Sequence, residues 1–151
     1  MRRQKSKKHI ARWELIAFDI GRSSQVVRGR VLHILIIEDD LLVAMDIQSC
    51  VEDMGTVSTD VASSEDDAVR LALIRRPELI ISDVRVAQGS GPAAVRRISE
   101  HQGLIPVLYV TGSPEAVTRT DPGARVIVKP YQRHQLMQQV KALEPTGFDT
   151  R

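Results

Sequence analysis

Aromatic residues are scarce in this 151-residue chain: one Trp, two Tyr and two Phe, 3% of the sequence. With so few rings, the core has to be aliphatic, filled by Ile, Leu, Val and Ala. Cysteine is scarcer still. Cys50 stands alone, which excludes a disulfide framework and a cysteine-based metal site and points to a reducing, cytoplasmic setting. No apolar run approaches the roughly 18 residues that a membrane span requires. The opening stretch MRRQKSKKHIARWELIAFDIGRSS is basic, but Arg12, Glu14 and Asp19 interrupt what would be the apolar centre of a signal peptide. The length fits one soluble domain around a single core.

Charge is unevenly spread behind a net of +2. Residues 1–30 hold nine Lys/Arg against two acids, a local +7, whereas residues 31–151 hold twelve against seventeen, a local −5. The expected organisation is a flexible basic tail over 1–30, an acidic domain over 31–144 and a short irregular tail over 145–151. The first tail carries a weak apolar patch at Trp13, Leu15, Ile16 and Phe18 and is expected to be dispensable for the domain's chemistry. It is the one feature that leaves nucleic acid open as a partner. The domain itself is expected to bind neither nucleic acid nor membrane.

Strands and helices alternate from residue 33 onward. His33 to Ile37 is a continuous apolar run, as in a sheet covered on both faces. Asp40 is placed to cap a helix over Leu41–Met54, with Val43, Ile47, Cys50 and Met54 on one face and Gly55 as its stop. Cys50 then serves packing. A short strand is expected over Thr56–Asp60. Next comes a helix opened by a Ser64/Asp67 capping box, with Ala68, Leu71 and Ala72 on its apolar face and Pro77 beyond its end.

ELIISD reads as the third strand, GPAAVRRISEH as a helix with Pro92 in its first turn, and IPVLYV as the fourth strand. SPEAVTRT reads as a short helix capped by Ser113, with Pro114 at its first position. ARVIV is the fifth strand, and Gln132 to Leu143 is a helix presenting Leu136, Val140 and Leu143. Arg96 and Arg97 are expected to be solvated. The four histidines, His9, His33, His101 and His134, share no ligand spacing and read as surface or partly buried residues.

Five strands alternating with helices predict parallel βαβ units, with helices on both faces of the sheet. In such sheets function gathers beyond the carboxyl ends of the strands. There the first strand delivers Glu38 and Asp39, the third Asp83, the fourth Thr111 and the fifth Lys129. A greasy strand running straight into Glu38, Asp39 and Asp40 needs a positive partner, because like charges crowded at a buried edge repel. Oxygen-rich carboxylates suit magnesium. An ammonium and a hydroxyl opposite Asp83 add the charge-neutralising groups that phosphoryl transfer requires. Asp40 itself is assigned to the helix cap.

IIEDD, LIISDV, YVTGS and VIVKPY, in this order and spacing over about residues 32–143, resemble the receiver domain of two-component response regulators. The resemblance implies a flavodoxin-like sheet of order 2-1-3-4-5 flanked by five helices. It implies Asp83 as phosphoacceptor, and magnesium held by Asp39 and Asp83, by Glu38 through water and by the Arg85 carbonyl. Thr111 and Lys129 would contact the phosphoryl oxygens, and the Lys129–Pro130 bond would be cis, aiming the lysine inward. The chain departs from the family pattern at several points. Glu38 replaces a more frequent aspartate, VAQGSG lacks the proline usual after the third strand, and Arg85 occupies a position that tunes phosphoryl lifetime. Val126 stands where many receivers carry a switching aromatic, which moves the switch role to Tyr109. YVTG with QGSG resembles the single-domain receivers of alphaproteobacterial stress signalling.

The implied function is a phospho-accepting signalling module and not an enzyme. A histidine kinase or histidine phosphotransfer protein would be the donor, and a downstream protein the target. Only eight residues follow Leu143, so no output domain is expected and signalling would proceed by binding. Two alternatives share parts of the kit. A magnesium-dependent aspartyl-phosphate phosphatase would want an acid two residues after the nucleophile, where Arg85 stands. A degenerate receiver acting as a phosphorylation-independent binding module would be expected to lose Asp83 or Lys129.

Overall fold

The computed structural model describes residues 31–55 and 57–143. The expectations placed on residues 1–30, Thr56 and residues 144–151 lie outside the described residues. Along the chain run β1 (Leu32–Ile37), α1 (Leu41–Glu52), β2 (Val57–Ala62), α2 (Glu65–Ile74), β3 (Leu79–Ser82), α3 (Gly91–Gln102), β4 (Val107–Thr111), α4 (Glu115–Thr118), β5 (Arg125–Val128) and α5 (Arg133–Leu143). All four strand pairings are parallel, and the order is β2-β1-β3-β4-β5. This is the flavodoxin-like strand order expected from the sequence.

The central strands are apolar on both faces because each face is roofed. Ile34, Ile36, Leu79, Ile81, Leu108 and Val110 pack against Ile47, Cys50 and Val51 of α1 and Leu136 and Val140 of α5. The alternate residues Leu35, Ile37 and Ile80 pack against Ala68, Val69 and Ala72 of α2 and Ala94 and Ile98 of α3. Burying each of these Ile and Leu side chains stabilises the fold by about 1.5–3 kcal/mol. Aliphatic bulk alone therefore suffices for a core with almost no rings. Cys50 is fully buried among them, and burial pushes its thiol pKa up.

Asp40 caps α1 as expected, its Oδ1 accepting from the Leu42 amide at 2.9 Å and the Val43 amide at 3.2 Å. The helix ends two residues earlier than predicted, at Glu52, and its buried stripe is Ala44, Ile47, Cys50 and Val51, with Val43 and Met54 only partly covered. Gly55 still makes the turn, at φ 123°. Ser64 caps α2 through the Asp67 amide, and Ser90 caps α3 through the Ala93 amide. Ser113 does not cap α4. Pro114 stands at the cap in helical geometry with no side-chain cap bond, and the Ser113 backbone carbonyl accepts from Ala116 instead.

His33 lies deeper than the surface or partly buried placement expected of the histidines. It is buried, with Nδ1 2.9 Å from the Ser58 hydroxyl and Nε2 3.3 Å from Asp60, both on the adjoining strand. Its backbone amide donates to Glu78. Burial, then the nearby Arg75 charge, holds its pKa below the ordinary 6.5, against the opposing pull of Asp60 and Ser58. As pH falls through 6.5, the unfolded chain takes up a proton that folded His33 resists, so the folded state loses stability. The expected result is that wild type loses more stability than His33→Gln between neutral and mildly acidic pH, measured by urea unfolding. Parallel pH profiles for the two proteins would contradict it.

Candidate functional site

Each strand end that delivers a functional side chain is held by a further rung of the sheet ladder. The Glu38 amide donates to Ala62 O at 2.9 Å, Asp83 to Ile37 O at 2.8 Å, and Lys129 to Thr111 O at 2.9 Å. These backbone bonds fix where the side chains start. The Lys129–Pro130 peptide bond is cis, as expected. Lys129 Nζ lies 2.7 Å from Glu38 Oε2 and 2.8 Å from Asp83 Oδ2. The ammonium is thus a positive partner for the crowded acids.

The three acids at the end of β1 have separate environments. Glu38 is 2% exposed, and both of its oxygens are engaged: Oε2 by Lys129 and Oε1 by the Asp40 amide at 3.0 Å. Asp39 is exposed beside them. Asp40 is the cap of α1. Burial pushes the Glu38 carboxyl above its ordinary pKa, and Asp83 adds to the effect, against the opposing pull of Lys129 and the Asp40 amide. For Asp83, burial acts upward too. There the Lys129 ammonium, the Thr111 hydroxyl and the Val84 amide win, and they hold the carboxyl below the usual range. Burial depresses the Lys129 ammonium, but its bonds to Asp83 and Glu38 outweigh that and raise its pKa. Asp83 thus has an ammonium and a hydroxyl at its side.

Asp83 Oδ1 accepts from the Val84 amide at 2.6 Å and the Arg85 amide at 3.4 Å, and Arg85 is exposed. Thr111 is buried, and its Oγ1 accepts from the Ser113 amide at 3.1 Å. Tyr109, two residues earlier on β4, is 7% exposed and packs with Val84 and Val117, beside Val95, Val107, Ala124 and Val126. Burial, with Asp121 nearby, pushes its phenol up to about 12. It borders a cavity of about 360 Å³ that Asp121, Ala124 and Leu143 also line. The structure therefore brings Glu38, Asp83, Thr111 and Lys129 together, with Asp39 at the edge and Tyr109 on the adjoining face.

The donor chemistry suits magnesium. Three carboxylates against one ammonium leave two negative charges uncompensated at a partly buried edge, and a hard dication balances them. Among the described residues no three acidic, histidine or cysteine side chains close into a ready-made cage. Magnesium keeps several of its waters and takes only one or two carboxylates from the protein.

Two residues to which the sequence assigned no role at the site belong to this region. Arg97, expected to be solvated, binds Glu65 at 3.0 Å and Asp66 at 2.7 Å. Glu65 in turn holds the loop after Asp83, accepting from the Ser90 amide at 3.2 Å. These partners lie 25 to 32 residues apart, beyond any local periodicity.

Residues 34–141 match the family model of the response regulator receiver domain. The chain belongs to that family. The receiver is 39% identical over 105 residues to the phyllosphere-induced regulator PhyR of Methylorubrum extorquens, covering 66% of this chain and 39% of that protein. It is 30% identical over 103 residues to the transcriptional regulatory protein PdtaR of Mycobacterium tuberculosis, covering 66% of this chain and 50% of that one. It thus spans half or less of these relatives' lengths. The crystal structure of PhyR from Brucella abortus superposes with a TM-score of 0.68 at 28% identity, over 78% of this chain and 49% of that one. A Pseudomonas aeruginosa receiver domain, from the sensor histidine kinase PA1611, shares the fold at 22% identity with a TM-score of 0.67, over 76% of this chain and 98% of that one. That structure carries magnesium in its active site cleft. Receivers are signalling proteins that interact with a kinase or phosphotransfer partner. Among the described residues of this one, no helix is long and apolar enough to cross a membrane.

Proposed function

We propose that this receiver accepts a phosphoryl group on Asp83 from a phosphohistidine of a histidine kinase or phosphotransfer protein. The observation that carries the reading is Lys129 Nζ at 2.8 Å from Asp83 Oδ2, with the Thr111 hydroxyl beside the same carboxylate. An Asp83 oxygen attacks phosphorus, the bond from phosphorus to the donor imidazole nitrogen breaks, and the donor leaves as neutral histidine after protonation. Lys129 and Thr111 hold the phosphoryl oxygens, which gain most from fixed opposing charge as the bond order changes. Asp39 and Asp83, the Arg85 carbonyl and, through water, Glu38 are the groups that would hold magnesium, which neutralises phosphoryl charge when bound. With one Glu38 oxygen on Lys129 and the other on the Asp40 amide, an indirect role suits that residue.

Tyr109 is the reporting residue of this reading. It shares a face with Thr111 on β4 and borders open space, whereas Val126 is β-branched, stiff and ringless. Motion of Thr111 toward a phosphoryl group frees the neighbouring volume, and the Tyr109 ring is what can follow it. Signalling then proceeds by binding a downstream protein through the α4, β5 and α5 surface.

Incubation with acetyl phosphate tests the function. The expected result is stoichiometric uptake of one phosphoryl group with magnesium and none in the presence of a chelator. Catalytic hydrolysis of a phosphate monoester, which is no phosphoryl donor to a receiver, would instead establish the phosphatase alternative. No uptake under either condition would leave the degenerate binding module.

A further inference from the structure

The loop that follows Asp83 is pinned at both ends. Near its base, the Gly91 amide donates to Val84 O at 3.0 Å, and Arg85 pairs with Ser90 in an antiparallel bridge. At its far side, Glu65, the first residue of α2, grips it twice. The Glu65 amide donates to Gln88 O at 3.0 Å, and Glu65 Oε2 accepts from the Ser90 amide at 3.2 Å. Arg97 of α3 binds Glu65 Oε1 at 3.0 Å and so orients the carboxylate toward the loop. Gly89 sits at φ 85°, and a Cβ there would overlap the Glu65 side chain. A loop without the usual proline is thus held by an acid from another helix.

We infer that Glu65 is a positioning residue for the Asp83 site, acting through the backbone of residues 84–90. This rests on the reading of Asp83 as the magnesium-assisted phosphoacceptor. The chain of contacts is short. Glu65 fixes Ser90, Ser90 faces Arg85 across a bridge closed by the Gly91 amide on Val84 O, and the Val84 and Arg85 amides hold Asp83 Oδ1. The Arg85 carbonyl assigned to magnesium belongs to the same stretch. Groups that orient ligands without touching the metal commonly govern affinity by about ten- to a hundredfold when removed. Small displacements of a reacting group are similarly costly to rate.

The test compares Glu65→Ala, Glu65→Gln and Asp66→Ala with wild type in the full chain. Asp66→Ala is the control, because Asp66 also pairs with Arg97 but is not one of the loop's anchors. Three quantities are read: amide hydrogen exchange at Ser90, NMR titration with magnesium chloride, and the rate of phosphorylation by acetyl phosphate. Glu65→Ala is expected to speed Ser90 exchange and to weaken magnesium and slow phosphorylation by about tenfold each. Glu65→Gln keeps an acceptor for Ser90 but loses the pairing with Arg97, and is expected to restore part of both, with Asp66→Ala matching wild type. A purely structural role would lower stability in Glu65→Ala without rescue of magnesium affinity by Gln.

Wild-type magnesium affinity and phosphorylation rate in Glu65→Ala would overturn the inference, even if Ser90 exchange accelerates. If Glu65→Ala does not fold, Glu65→Gln and Asp66→Ala decide. A tenfold loss in Asp66→Ala, or a Glu65→Gln protein as impaired as one with no acceptor, would overturn it as well. Failure of the underlying reading looks different, because wild type itself would then bind no magnesium and take up no phosphoryl group. In that case the positioning role falls with it.

Discussion

Lys129→Met is expected to cut the rate of Asp83 phosphorylation by about a hundred- to a thousandfold, the usual effect of removing one preorganised charge-stabilising group. The ammonium bridges Glu38 Oε2 and Asp83 Oδ2, so its loss leaves two carboxylates facing one another at a partly buried edge. That repulsion disfavours the ionised Asp83 that must attack phosphorus. Stability should fall by about 2 kcal/mol, less than for a fully buried pair because the lysine keeps some contact with water. Magnesium affinity should not fall, since Lys129 competes with a cation for the same oxygens. Stopped-flow or quench kinetics with acetyl phosphate, run beside a magnesium titration, separates the two roles. A Lys129→Met protein phosphorylated at the wild-type rate would remove lysine from the mechanism. Weakened magnesium binding would mean that the lysine orders the carboxylates for the cation and does not compete with it.

The second large effect is expected at Gly91. A Cβ there would overlap the Asp83 carbonyl oxygen and the Ser82 hydroxyl, and a backbone carbonyl has little freedom to retreat. Gly91→Ala must therefore push α3 and the loop away from β3, breaking the bond from the Gly91 amide to Val84 O. The expected cost is about 3 kcal/mol, or roughly 10 °C in melting temperature for a domain of this size. Gly112→Ala is the natural comparison, because nothing lies within 4 Å of a Cβ built there. It should change stability by no more than about 0.5 kcal/mol. Calorimetry on the two variants decides the matter, and equal melting temperatures would contradict this account of the loop.

Much of the fold could be read before any coordinates. Unbroken aliphatic runs such as ILII and LII announce strands roofed on both faces, and the residues that end them fall at one edge by topology alone. Asp40 was legible because a cap is a local device: the donors it satisfies are two and three residues away. At His33 the deciding contact was remote. His33 looks like any histidine at a strand start, and only the pairing of β1 with β2 puts Ser58 and Asp60 against its ring. Ser113 fits the cap pattern, yet Pro114 adopts helical geometry at the cap and the bond goes to the Ser113 carbonyl.

The crowded acids show the same division. The need for a positive partner follows from the sequence, because like charges at a buried edge repel. That Lys129 binds Glu38 and Asp83 at once, while Asp39 remains in solvent, depends on a lysine 91 residues from Glu38 and 46 from Asp83. Glu65 and Arg97 carried no signal at all. Each sits on a helix with an ordinary polar face, and only the packing of α2 against α3 brings them to the loop.

The most direct test of the central claim is to locate the phosphoryl group chemically. Borohydride reduces an acyl phosphate to an alcohol, so a phosphorylated aspartate becomes homoserine at that position. After treatment with acetyl phosphate and magnesium, peptide mass mapping is predicted to find homoserine at position 83 in wild type and none in Asp83→Asn. Homoserine at Asp39 or another acid, or equal phosphoryl uptake by Asp83→Asn, would contradict the account.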